Sequence, residues 1–318
     1  MVPLTLAAFR PHRLLRGAHR QTLAGHLLRP PDGPPLRRET WDTPDADLLD
    51  VDFCADPSLP DGAPMVLVLH GLGGSSGSGY VGVLLGELAA RGLRGVALNY
   101  RSCGGRIPLQ PRSYHAGETE DPRFVLDRLF DRGAVAGAVG FSLGGNILLK
   151  LLGEGEDRLP AAVSVSAPHD LARSVRRLDQ GLSVAYQRHL LRALKQNLRD
   201  RPELDGPIDR AAGLASPSLR DFDDRVTAPL HGFRDAATYY ARCSSMRFVP
   251  EITTPTLVLR ALDDPFIDPA DVACLDGNPQ VTSLLPEHGG HVGFAERSGK
   301  GVRWWAEATA AGFLARSR

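Results

Sequence analysis

The sequence has few cysteines, few lysines, few aromatic residues and no long apolar run. Of its 318 residues, 6% are aromatic, four are cysteines and only Lys150, Lys195 and Lys300 are lysines. The longest uninterrupted aliphatic run, Met65–Leu69, is far shorter than the ~20 residues that a membrane helix needs. Basic and acidic side chains number 37 each, so no net charge draws the chain towards nucleic acid or an anionic membrane.

The cysteines and the N-terminus both favour a cytosolic protein. The four cysteines lie far apart without a Cys-x-x-Cys pair, which indicates reduced thiols and no structural zinc. Residues Met1–Phe9 are too short for a secretory signal, contain Pro3, and precede no small-residue cleavage site. We therefore predict a cytoplasmic chain without an integral membrane segment. Secreted, disulfide-stapled and zinc-ribbon classes are excluded.

Short aliphatic runs alternate with amphipathic segments along most of the chain. Strands are predicted at Arg38–Thr43, Leu48–Cys54, Met65–Leu69, Gly95–Leu98, Ala134–Val139, Ala161–Val165, Thr256–Leu259 and Val281–Leu285. Helices are predicted at Val81–Ala89, Leu143–Leu152 and Val302–Phe313. A further helix is predicted to begin after Thr119, which would serve as its N-cap residue. This alternation predicts an α/β fold with a twisted, mainly parallel sheet and helices on both faces.

The interval from about 168 to 240 breaks that alternation. It contains a long helical stretch at Leu182–Leu198 and polar connections with Pro202, Pro207 and Pro217. We predict a helical cap inserted into a single domain of residues 1–318, not a second folding domain.

The segment Gly140-Phe141-Ser142-Leu143-Gly144 satisfies the Gly-x-Ser-x-Gly pattern between a predicted strand and a predicted helix. In such a tight turn, side chains two positions from the serine would collide, and Gly140 and Gly144 leave room. Ser142 is therefore the candidate nucleophile. The Leu143 amide, at the helix N-terminus, is a candidate oxyanion donor.

A serine hydroxyl needs a base, and that base needs an orienting carboxylate. An acidic pair, Asp263 and Asp264, follows one late strand, and His288 and His291 follow the next. We prefer Asp264, which lies three residues beyond Ala261. We prefer His291, which is flanked by glycines. Asp263 stays open as the alternative acid.

The second oxyanion donor is expected in the loop after the early strand, where the sequence reads HGLGG from residue 70 to 74. The Leu72 amide suits that role, whereas His70 is interpreted as structural. Arg101 is interpreted as an ion-pair partner and His115 as a packed histidine.

Several motifs together resemble one family, the YheT-like branch of α/β-hydrolases, also called the AB-hydrolase-4 family. They are His19-x-Gln21-Thr22-Leu23, HGLGG at 70–74, Asn99-Tyr100-Arg101 with Gly104-Gly105, Tyr114-His115-Ala116-Gly117, GFSLGGN at 140–146, Ser244-Ser245, Asp263-Asp264-Pro265-Phe266 and Gly289-Gly290-His291-x-Gly293-Phe294. The resemblance implies serine-dependent hydrolysis of carboxylic esters, from short-chain esters to acylglycerols or phospholipids. It places the charge relay on Ser142, Asp264 and His291. It also implies a small ester or lipid as substrate, with no cofactor and no metal.

Two other functions are compatible with parts of the sequence. An acyltransferase would use the same three residues with an alcohol in place of water. An NADP-dependent oxidoreductase would use the glycine-rich loop at 71–77, with Arg101 meeting a 2′-phosphate. No acidic residue ends the strand at Leu98-Asn99-Tyr100, and a dinucleotide fold gives no reason for the GFSLGG turn. We therefore favour the serine hydrolase. The sequence does not determine the oligomeric state.

Overall fold

A computed structural model describes residues 8–30, 32–299 and 301–317. The segment Met1–Phe9, considered above as a secretory signal, falls mostly outside these ranges. Within them, eight strands form one sheet: β1 Leu36–Asp42, β2 Leu48–Cys54, β3 Met65–Leu69, β4 Arg94–Asn99, β5 Val135–Phe141, β6 Ala162–Val165, β7 Thr256–Leu259 and β8 Val281–Leu284.

The sheet has the strand order β1-β2-β4-β3-β5-β6-β7-β8. The pairs β1–β2 and β2–β4 are antiparallel, and the other neighbouring pairs are parallel. From β3 the chain first adds β4 on one side and then crosses to add β5 on the other side of β3. Loops at the carboxyl ends of β3 and β5 are therefore adjacent, which is where such sheets place their sites.

Helices cover both faces of the sheet. They are α2 Gly79–Ala89, α3 Glu120–Arg132, α4 Leu143–Gly153 and α11 Trp305–Arg316. The side chains of β3 explain this arrangement, because successive residues of a strand point to opposite faces. Leu67 and Leu69 join the core with α3 and α4, whereas Val66 and Val68 join the core with α2 and α11. The strand is buried on both faces, as its apolar run predicted.

Between β6 and β7 the chain forms a series of helices. They are α5 Leu171–Leu178, α6 Ser183–Arg199, α7 Arg210–Ala215, α8 Leu219–Phe222, α9 Ala228–Leu230 and α10 Ala236–Cys243, with a π-turn at Asp223–Thr227. An apolar cluster of their own, including Leu191, Leu198, Phe222 and Val226, holds several of them together. We call this set the cap helices.

Two other elements were not predicted. Helix α1 spans Ala18–Leu27 near the start of the chain, and strands β9 Ala295–Ser298 and β10 Gly301–Trp304 form an antiparallel hairpin before α11. The predicted closing helix was therefore wrong at Val302, which pairs with Arg297 in the hairpin. The helix begins only at Trp305.

The predicted cap at Thr119 was also partly wrong. Thr119 does precede α3, but its hydroxyl donates to Glu154 at 2.7 Å and does not cap the helix. The carboxylate of Glu118 instead accepts the amides of Glu120 and Asp121 at 3.1 and 3.3 Å. A carboxylate meets the positive end of the helix better than a hydroxyl does, since it carries a full charge.

Candidate active site

Ser142 lies at a sharp turn between β5 and α4. Its φ and ψ are 51° and −119°, a strained conformation for a residue with a side chain, and its amide donates to Val165 O at 2.8 Å. A Cβ at Gly140 would lie 2.3 Å from Gly144 O, and a Cβ at Gly144 would lie 2.4 Å from Leu69 O. The steric reason predicted for these two glycines is confirmed.

Ser142, His291 and Asp264 are joined by hydrogen bonds. Nε2 of His291 lies 2.9 Å from Oγ of Ser142, and Nδ1 lies 2.8 Å from Oδ2 of Asp264. A carboxylate can only accept, so an ionised Asp264 fixes the ring proton on Nδ1 and leaves Nε2 free to accept from the serine. The other carboxylate oxygen, Oδ1, accepts the Phe266 amide at 2.8 Å. Asp264 is buried, and each of its two carboxylate oxygens has a hydrogen-bond partner within the protein.

The neighbouring carboxylate, Asp263, has different partners. Its Oδ1 accepts the Gly290 amide at 2.9 Å, and its Oδ2 lies 3.2 Å from Nδ1 of His288. Asp263 and His288 therefore tie together the two loops that follow β7 and β8. The geometry favours Asp264 over Asp263 as the partner of His291.

The backbone around His291 is held in an unusual conformation. Val292 and Phe294 have φ values of 51° and 49°, in the left-handed region that β-branched and bulky residues rarely adopt. Thr22 Oγ1 accepts the His291 amide at 2.9 Å, and Ser166 Oγ accepts the Val292 amide at 3.1 Å. Such strain persists only where the surroundings impose it.

Two further side chains fix this loop. Arg29, a buried side chain just after α1, donates to Val292 O at 2.7 Å and pairs with the buried Glu307 at 2.6 Å. The Phe266 ring stacks on His291 with centroids 3.9 Å apart and planes 4° from parallel. Our sequence reasoning missed Arg29, Ser166 and Phe266 as supports of the loop. It quoted Thr22 in a motif without giving it a role.

The HGLGG loop lies against the serine turn, since a Cβ at Gly71 would be 3.2 Å from Ser142 Cβ. The loop is held by two tyrosines, Tyr80, which was not predicted, and Tyr114, which was quoted in a motif without a role. The Gly71 amide donates to Tyr80 Oη at 2.9 Å, and the Gly73 amide donates to Tyr114 Oη at 2.7 Å.

The two predicted oxyanion donors remain available for a ligand. In the described part of the chain, neither the Leu72 amide nor the Leu143 amide has a hydrogen-bond partner. Leu143 opens α4, so its amide is one of those that the helix itself cannot satisfy.

His70 is structural, as predicted. Its ring is buried, with Nδ1 donating to Gly71 O at 2.8 Å and Nε2 accepting the Tyr100 amide at 3.3 Å. Burial lowers the pKa of His70 to about 4, so the ring stays neutral at physiological pH.

Arg101 and His115 also take the places predicted for them. The buried guanidinium of Arg101 pairs with Asp45, Asp47 and Asp121 at 2.7–2.8 Å, so its donors are committed within the protein. The ring of His115 packs on the ring of His231, with 4.4 Å between the two ring centroids. Burial lowers the pKa of His115 to about 3. Over the described residues, no group of three or more His, Cys, Asp or Glu side chains is arranged to hold a metal ion.

The cap helices lie over the loops of the site. A Cβ at Gly73 would lie 3.3 Å from Ala193 Cβ of α6, and Ser183 donates to Pro265 O at 2.6 Å. A cleft lies between the cap and the loop that carries Tyr114. Its lining is apolar at Leu194, Leu198 and Phe222, with polar groups such as His231 among them.

Comparison with known proteins agrees with this architecture. The family model for the alpha/beta hydrolase fold matches residues 64–298. Among solved structures, an esterase of Pyrococcus furiosus, Pf2001, superimposes with a TM-score of 0.53 at 16% identity, covering 81% of this chain and 85% of that one. The chain is an α/β-hydrolase.

Curated relatives place it more narrowly. The putative esterase YheT of Escherichia coli is 39% identical over 91% of this chain and 87% of its own length. A monoacylglycerol lipase of Saccharomyces cerevisiae is 34% identical over 79% of this chain, which spans 60% of that protein. This chain belongs to the YheT-like family of α/β-hydrolases. Across the described ranges, no helix is both long and apolar enough to cross a bilayer.

Proposed function

We propose that this chain hydrolyses carboxylic esters with Ser142 as nucleophile, His291 as base and Asp264 as the orienting acid. Carboxylic ester hydrolysis itself follows from membership of the YheT-like family, and the proposal adds the residues and the mechanism. The observation that carries it is the unbroken hydrogen-bonded series Asp264–His291–Ser142, at 2.8 and 2.9 Å.

In the first half of the reaction, Nε2 of His291 removes the Ser142 proton while Oγ attacks the ester carbonyl carbon. The carbonyl oxygen becomes an oxyanion that accepts from the Leu72 and Leu143 amides. The tetrahedral intermediate collapses, the bond to the alcohol oxygen breaks, and His291 gives that oxygen its proton. Asp264 keeps the imidazole in the required tautomer and stabilises its cationic form.

In the second half, His291 takes a proton from water, and the hydroxide attacks the acyl-Ser142 carbonyl. The carboxylic acid leaves and Ser142 recovers its proton. Ser142 leaves its proton on the alcohol and regains one from water, so both residues end in their starting protonation states and the cycle consumes only ester and water. This scheme uses no cofactor.

We further propose that residues 1–318 form one hydrolase domain whose cap helices border the acyl or alcohol site. Names of relatives favour a lipid ester among the substrates, since one is a monoacylglycerol lipase and another is a mouse phospholipase. A cytoplasmic location accords with the four free thiols. An acyltransferase would use the same residues, and adding a primary alcohol to the assay separates the two functions by their products.

Replacement of Ser142 by alanine tests the proposal. We expect Ser142→Ala to lower kcat/KM for a p-nitrophenyl ester series, from acetyl to palmitoyl, by about 10⁴-fold or more. One monoacylglycerol is included to test the lipid substrates. The matched control is Ser58→Ala, which removes an exposed hydroxyl that donates to Asp56 and should leave every rate unchanged. Near-wild-type turnover by Ser142→Ala would contradict the assignment.

A further inference from the structure

Helices α1 and α6 lie side by side on the surface of the molecule. Nδ1 of His19 is 3.1 Å from Tyr186 Oη and the two rings stack, while His26 meets His189 edge-on at 5.9 Å. The exposed sides of these helices, together with residues 13–16, Leu28 and Leu182, form one surface that we call the α1/α6 face.

The α1/α6 face carries much of the apolar surface that the protein exposes. Within the described residues nine large apolar side chains are exposed, and five of them belong to this face. They are Leu14, Leu23, Leu27, Leu28 and Leu182, with exposures from 46% to 77%. Exposed apolar residues that lie together mark an interaction site, since on monomeric proteins such residues are usually isolated from one another.

The same face is positively charged. No aspartate or glutamate occurs in residues 8–30 or in residues 180–199. Exposed arginines alternate with the leucines, and they are Arg13, Arg16, Arg20, Arg188 and Arg192. In the described ranges none of these five forms an ion pair, whereas Arg101, Arg106 and Arg112 all pair with carboxylates. The overall neutrality of the chain therefore hides a local excess of positive charge.

The face also lies next to the proposed catalytic residues. Thr22 of α1 accepts the His291 amide, and Tyr186 of α6 packs on Phe266 at 4.9 Å, which in turn stacks on His291. Both helices of the face therefore contact the loops that carry the proposed catalytic residues.

We propose that the α1/α6 face docks the protein on an anionic lipid–water interface. The leucines enter the boundary between headgroups and acyl chains, and the arginines meet the lipid phosphates, as in other amphipathic surface helices. The leucines distinguish this face from a nucleic-acid site, where exposed apolar side chains would gain nothing. Docking would bring ester lipids to the proposed site, and to that extent the inference rests on the proposed function.

Vesicle co-sedimentation tests docking without requiring catalysis. The full chain carrying Ser142→Ala is mixed with phosphatidylcholine vesicles, with and without phosphatidylglycerol, at low and high salt. We expect binding to the anionic vesicles only, and weaker binding as salt screens the charges. Hydrolysis is measured separately on the wild type, so a failure of docking and a failure of the proposed function give different results.

Paired substitutions assign the binding to the face. Leu23→Ser with Leu27→Ser should lower the partition coefficient at least ~10-fold through lost apolar burial. Arg16→Gln with Arg20→Gln should lower it about fivefold for each charge removed. The matched control is Ile107→Ser with Leu109→Ser, an equally exposed apolar pair outside the face, which should bind as before. Unfolding midpoints show that each variant is folded.

Three results would overturn the proposal. The first is no binding to anionic vesicles at low salt. The second is equal binding by the leucine variant and its control. The third is self-association in sedimentation velocity that the leucine variant abolishes, without vesicle binding, which would assign the face to a second copy of the chain.

Discussion

Replacing Asp264 by asparagine is expected to invert the tautomer of His291. In the wild type, Oδ1 of Asp264 accepts the Phe266 amide and Oδ2 faces Nδ1 of His291. An asparagine keeps its one oxygen on the Phe266 amide, so its NH₂ group turns towards the histidine. An NH₂ group donates, so Nδ1 must accept and the ring proton moves to Nε2. The nitrogen that faces Ser142 then has no lone pair with which to take the serine proton.

The size of the effect follows from that loss of the base. The same substitution in a serine triad lowers kcat by about 10⁴-fold, which corresponds to about 5.4 kcal/mol of activation free energy. Asp263→Asn is the matched control, because its oxygen can still accept the Gly290 amide while only the contact with His288 changes. We expect Asp263→Asn to lower kcat by less than about tenfold, or about 1.4 kcal/mol, because the partners of the Asp263 carboxylate are His288 and the Gly290 amide and not the proposed reacting groups.

Initial rates with p-nitrophenyl butyrate measure both variants, and thermal unfolding shows that both are folded. A loss of less than tenfold in Asp264→Asn would refute the tautomer argument. A larger loss in Asp263→Asn than in Asp264→Asn would move the acid to Asp263.

Three further substitutions test the surroundings of the site. Thr22→Val removes the acceptor of the His291 amide and should lower kcat about tenfold with KM little changed. Thr22→Ser keeps the hydroxyl and should have the wild-type rate. Equal rates in the two variants would contradict a positioning role for Thr22. Arg101→Met leaves buried carboxylates uncompensated and should lower the free energy of unfolding, measured in urea, by about 3–5 kcal/mol. The control Arg37→Met removes an exposed ion pair and should lower it by less than about 1 kcal/mol. Similar losses in the two variants would contradict the buried pairing. Burial raises the pKa of Asp223 to about 6, so the stability contributed by its protonated carboxyl is present in acid and is lost as pH rises from about 4 to 6. The free energy of unfolding of Asp223→Asn minus that of the wild type should therefore rise over that interval, by at most about 3 kcal/mol. A difference that does not change with pH would contradict the shift.

Where local signals dominate, the sequence predicted the fold closely. The strand at Thr256–Leu259 matches residue for residue. Met65–Leu69 is a strand buried on both faces, as is typical of a short continuous apolar run in a parallel sheet. Gly140 and Gly144 are required by sterics that the motif itself expresses. Val302 was misplaced because the helical spacing of the residues after it obscured a short hairpin.

The supports of the site could not be predicted in this way. Thr22 and His291 are 269 residues apart, and only the packing of α1 against the histidine loop brings them together. The buried pair Arg29–Glu307 likewise depends on where α1 and α11 pack. The motifs indicate which groups are proposed to react, whereas the tertiary structure determines what holds those groups in position.

Our proposal requires that Ser142 forms the covalent bond to the substrate. Reaction of the folded chain with a fluorophosphonate, followed by peptide mapping in a mass spectrometer, locates that bond directly. We predict a single adduct on the peptide containing Ser142, absent in Ser142→Ala, whose formation accompanies the loss of esterase activity. An adduct on another residue, or full esterase activity after complete modification of Ser142, would contradict the account.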